Sequence, residues 1–86
     1  MEVYKVWLDE NPIRKARKAA GVKILAAASL LGVSPQTIQF WENASYHPKV
    51  EHFDGMEKLF KINNLAKKFE DWYKKKPSVE EATSGK

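Results

Sequence analysis

The side chains able to do covalent chemistry are few and scattered. Ser29, Ser34, Ser45, Ser78 and Ser84 stand in no histidine–acid arrangement that would activate a nucleophile. There is no cysteine and no glycine-rich phosphate loop. His47 and His52, near Glu51 and Asp54, form no His-x-x-x-His pair and have no second ligand cluster, so they read as a polar loop and a helix start and not as a metal site. These observations point to no enzyme, no metal and no cofactor. What remains is the chemistry of non-covalent contact, and it is concentrated. Gln36, Thr37, Gln39, Phe40 and Asn43 put three amides, a hydroxyl and an aromatic ring into one short stretch. A primary amide donates and accepts at once, so it can grip a partner that offers both.

The charge balance suits such contact with a polyanion. The chain has 86 residues and a net charge of +4; the last ten, PSVEEATSGK, carry −1, which leaves +5 on the remainder. Surplus lysine also serves solubility, so charge alone leaves both readings open. The start, MEVYKVWLDENP, lacks the basic-then-apolar pattern of a signal peptide. The longest nearly apolar run, Ile24 to Val33, covers about 10 residues, where roughly 20 are needed to span a bilayer. Together with the missing cysteines this implies a cytoplasmic protein and no membrane partner.

The polar cluster must be held by its surroundings, and Ile24 to Asn43 reads as two helices joined by a tight turn. Ala28 keeps the first small where the two cross. Gly32 takes the positive φ that the turn demands. Ser34 caps the second helix and Pro35 occupies its first position, where a missing N–H costs nothing. Val33 and Ile38 have the spacing of a hydrophobic staple. Ile38 and Trp41 face inward, which turns Gln36, Gln39, Phe40 and Asn43 away from the core.

Around this corner the chain divides into an N-terminal arm or strand over 1–10, a helical domain over 11–76, and a disordered polar tail over 77–86. Val3, Tyr4, Val6, Trp7 and Leu8 are compatible with a strand, an arm or a helical lead-in. Asn11 and Pro12 start a helix to about Ala20 that Gly21 ends. The next helix, about Lys23 to Leu31, has after Lys23 only Ser29 polar within it, which predicts burial on more than one side, beneath the N-terminal arm or a partner. Helices follow over about Val50 to Lys61, with Gly55 unexplained inside it, and about Asn64 to Lys75. Phe69, Trp72 and Tyr73 form a stripe on the last one that suits either the core or a subunit interface.

The order Arg17…Gly21-Val22…Ala28…Leu31-Gly32-Val33-Ser34…Gln36-Thr37-Ile38…Trp41-Glu42-Asn43…Pro48 resembles the Cro/phage-repressor type of helix-turn-helix domain over about Asn11 to Ile62. The resemblance implies an all-α, five-helix, lambda-repressor-like fold, and a transcriptional regulator that binds a near-palindromic operator in double-stranded DNA as a homodimer. It makes Pro35 to about Asn43 the recognition helix. Pro35, Gln36 and Phe40 then face base edges, with Gln36 suited to adenine N6 and N7. Thr37 offers a methyl to thymine or a hydroxyl to phosphate, and Asn43 meets phosphate. Ser34 and Gln39 complete the DNA-binding set on that helix; Lys23, Lys49 and Arg14, read from their charge and not from the resemblance, are either phosphate contacts or solvated cations. Arg17 and Glu42 match a scaffold ion pair.

The sequence departs from the family pattern at three places. Lys23-Ile24 replaces the usual Ser or Thr followed by a phosphate-binding Gln. Leu25 and Ala26 replace polar residues. Phe40 replaces a polar or basic one, and either meets a thymine methyl or lies against Tyr46 away from DNA; Ala44 replaces a frequent turn glycine. The apolar Ile24-Leu25 pair supports a rival reading, a protein-interaction module built on the same fold. The dimer surface would be the aromatic last helix, the apolar helix before the turn, or a strand over Val3 to Leu8.

Overall fold

The computed structural model describes residues 2–77. It is all-α, with α1 Glu2–Asp9, α2 Pro12–Ala19, α3 Ile24–Leu31, α4 Pro35–Glu42, α5 Val50–Phe60 and α6 Leu65–Lys74. Among the described residues there are six helices where five were expected, and no strand. The additional element is the segment read as an arm or strand. Tyr4, Trp7 and Leu8, spaced three and four apart, turn toward the core, whereas Val3 and Val6 stay exposed. The β-branched residues that suggested a strand are thus on the solvent side of a helix. Of the tail expected over 77–86, Pro77 is buried, and the rest lies outside the described residues.

Local chemistry sets the boundaries. Asn11 Oδ1 accepts the Ile13 N–H at 2.8 Å to open α2, with Pro12 at its first position. Gly32 closes α3 at φ 72°, a conformation open to glycine at little cost. Ser34 Oγ accepts the Thr37 N–H at 3.1 Å to open α4. Asn64 makes no side-chain cap for α6; Glu57 Oε2, reaching from α5, accepts the Leu65 N–H at 2.9 Å instead.

The core holds Ile13, Ala16, Ala27, Ala28, Ile38, Trp41, Phe53, Met56, Phe60, Leu65, Phe69 and Trp72, joined by Trp7 of α1. Ala27 and Ala28 let α3 lie close against α4. The all-round burial expected of α3 is not observed: Leu25 and Leu30 are 73 % and 69 % exposed. The N-terminal segment that was one of its two expected covers is fastened to α6 instead. Gly55 also finds its reason. A Cβ there would stand 2.9 Å from Leu31 Cδ2, so the glycine admits the end of α3 against α5.

Candidate nucleic-acid interface

Two polar ties fix α4 to α2. Arg17 Nε donates to Glu42 Oε2 at 2.6 Å, Nη2 to Oε1 at 3.3 Å, and Nη1 to the Val22 carbonyl at 2.9 Å. Both side chains are about nine-tenths buried, so the guanidinium fork neutralises the one carboxylate that α4 carries inward. Asn11 supplies the second tie. It is fully buried, and while its Oδ1 caps α2 its Nδ2 donates to the Trp41 and Glu42 carbonyls at 3.1 and 2.9 Å. One amide therefore closes the start of one helix and the end of another. Its capping role is legible in the sequence; its reach to α4 is not, because the partners lie about 30 residues away.

With Ile38, Trp41 and Glu42 buried, α4 turns its other side outward. Ser34, Pro35, Gln36, Gln39 and Asn43 are exposed, and Thr37 and Phe40 half-buried. Gln36 makes no side-chain hydrogen bond among the described residues, so its amide is free to both donate and accept. Thr37 Oγ1 lies 2.8 Å from Ser34 Oγ. Phe40 meets Tyr46 edge-on with ring centroids 4.9 Å apart, which braces the loop after the helix. Asn43 Oδ1 accepts the Ser45 N–H at 3.0 Å. Its amide nitrogen remains the group able to donate to a phosphate. Ala44 follows at φ 66°, holding without glycine a turn that strains an L side chain.

Lys23 and Lys49 are exposed and occupy the cap positions of α3 and α5, and neither makes a side-chain cap bond. The first N–H groups of those helices therefore keep no side-chain acceptor at the cap, beside a lysine cation. At α3, whose first turn carries no acid, that is the electrostatic setting phosphates favour, whereas α5 has Glu51 in its first turn.

Other residues singled out by sequence lie elsewhere. Phe69 and Trp72 are 2 % and 8 % exposed, buried within this chain, and Tyr73 is half-buried beside them. The aromatic stripe weighed as a dimer interface is covered from within, because Trp7 of α1 lies on it. His47 stands edge-on to Tyr73 and Phe69, with centroids 4.4 and 5.4 Å away, and His52 packs near Trp41 on a different helix. Among the described residues no group of three acidic, histidine or cysteine side chains could hold a metal ion. None of the helices described is long and apolar enough to cross a membrane.

Two packed helices joined through a turn with a left-handed glycine, the second anchored from behind and presenting a polar outer side, define a helix-turn-helix domain. A helix-turn-helix family model matches residues 13–63, and the chain belongs to this Cro/phage-repressor type of family, a family of DNA-binding domains. Neither a curated protein nor a solved structure matches the chain significantly. The family match begins after α1 and ends before α6, so the Trp7–Trp72 contact is made by residues outside it.

Proposed function

We propose that this chain is a sequence-specific transcriptional regulator, a small repressor-like protein of phage or mobile-element type that binds a near-palindromic operator as a dimer. The observation carrying this reading is the exposed polar side of α4, held rigidly by Arg17 and Asn11. In the proposed complex α4 enters the major groove, Gln36 reads a base, Thr37 and Phe40 contact neighbouring edges, and Lys23, Asn43 and Lys49 engage phosphates. Two copies would set their α4 helices about one helical turn apart. Selection of bound fragments from a random duplex pool tests this directly. Enrichment of one half-site repeated in inverted orientation supports it; an unenriched pool contradicts it.

A second reading is favoured by one specific observation, the exposure of Leu25 and Leu30 on α3. Here the fold serves protein association through the apolar Ile24-Leu25 end of α3. A salt titration separates the two. Duplex binding falls steeply with salt, with a slope that reports the phosphates engaged, whereas an apolar contact responds far less.

A further inference from the structure

We infer that Arg14 is a phosphate contact that Asp9 holds occupied, so that the end of α1 sets how tightly the α4 side grips a duplex backbone; this rests on the DNA-binding reading above. Arg14, Leu8, Gln39, Glu42 and Asn43 line one open recess of about 280 Å³. Gln39 and Asn43 are exposed residues of the proposed reading side, one turn apart, so the recess continues that side toward α1 and α2. The Glu42 carboxylate in it is already taken by Arg17. Arg14 is therefore the cation whose charge the recess can still offer. Its guanidinium stands 3.5 Å from Asp9 Oδ1, with side chains 38 % and 54 % exposed, and a pair so open to water is weakly held. A phosphate can displace that carboxylate, since arginine accommodates either anion with the same fork.

Asp9 has no evident structural reason to be acidic. It is the last residue of α1, where a negative charge opposes the helix dipole, and the last turn of α1 holds no basic residue. The neighbouring Glu10–Lys15 pair repeats the same spacing at 3.1 Å. It lines a different recess with Ile62 and Lys68, away from α4, and so provides a matched control.

The exchange has a counterion signature. While Arg14 stays on Asp9 it neutralises no phosphate, and that phosphate keeps its condensed cation. Asp9→Asn frees Arg14 to release it. Fluorescence anisotropy with a labelled mixed-sequence duplex, over a range of salt, is the experiment. Asp9→Asn is expected to tighten binding several-fold at low salt and to steepen the slope of log K against log salt by about 0.9, the value of one phosphate. Adding Arg14→Ala should remove both effects, as should Arg14→Gln if the alanine lowers the melting temperature. Glu10→Gln, with the same change of charge, should produce neither. The inference is overturned if Asp9→Asn tightens binding equally in the Arg14→Ala background, or if Asp9→Asn leaves the slope unchanged or weakens binding. If the unaltered chain binds no duplex even at low salt, the DNA-binding reading itself fails, a result distinct from binding without Arg14 dependence.

Discussion

Trp7 and Trp72 cap each other's helices. The Trp7 Nε1–H donates to the Trp72 carbonyl at 2.9 Å, and the Trp72 Nε1–H to the Trp7 carbonyl at 2.7 Å. Their rings stack with centroids 4.0 Å apart and planes 4° from parallel. Both carbonyls lie in the last turns of α1 and α6, and each also accepts one backbone N–H, from Glu10 and from Lys75, at 3.1 Å. The residue pair thus gives two helix ends a second donor and closes the aromatic side of α6.

Trp7→Phe keeps a ring on α6 but deletes one indole donor. The Trp72 carbonyl still accepts from the Lys75 N–H at 3.1 Å, so the loss should be modest, about 1–2 kcal/mol. Trp7→Ala also uncovers Trp72 and should cost about 3–5 kcal/mol. Thermal unfolding followed by circular dichroism checks both. An Ala variant no less stable than the Phe variant would show that α1 is not part of the folded core.

Arg17→Ala strands the buried Glu42 carboxylate and should lower stability by about 3–5 kcal/mol, which for a chain of this size is a fall of well over 10 °C in melting temperature. Arg17→Lys should rescue little, because a single ammonium cannot span both carboxylate oxygens and the Val22 carbonyl. The double change Arg17→Met with Glu42→Leu should recover much of the loss. An unchanged melting temperature for Arg17→Ala would remove the pair from the scaffold.

Gly55→Ala brings two opposed effects. Helix propensity favours alanine by about 1 kcal/mol. The new Cβ at 2.9 Å from Leu31 Cδ2 forces that half-buried side chain to move. The full gain should therefore appear only in a Leu31→Ala background, where nothing stands in the way. Equal gains in both backgrounds would mean that α3 and α5 do not meet at this point.

The two-helix corner was legible in the sequence because each of its requirements is local. Gly32, Ser34 and Pro35 act within a few residues, and Ala28, Ile38 and Trp41 follow helical spacing. The N-terminal segment was not legible. Eight residues are too few for periodicity to separate helix from strand, and what decides is a partner, Trp72, 65 residues away. The same non-local term hid Gly55, whose neighbour is on another helix, and left Phe69 and Trp72 open between core and subunit interface, because their cover is α1. The apolar character of α3 misled in the other direction: Leu25 and Leu30 are apolar yet exposed, so composition alone overstated its burial.

Base reading by Gln36 is the central claim, and its most direct test compares two duplexes. Binding of the unaltered chain and of Gln36→Ala is measured on the site selected from a random pool and on mixed-sequence DNA, at one fixed salt concentration. Gln36→Ala is expected to weaken binding to the selected site by about 1–3 kcal/mol and to mixed-sequence DNA much less. Equal weakening on both would contradict the claim, because a side chain that lowers affinity regardless of sequence does not read it.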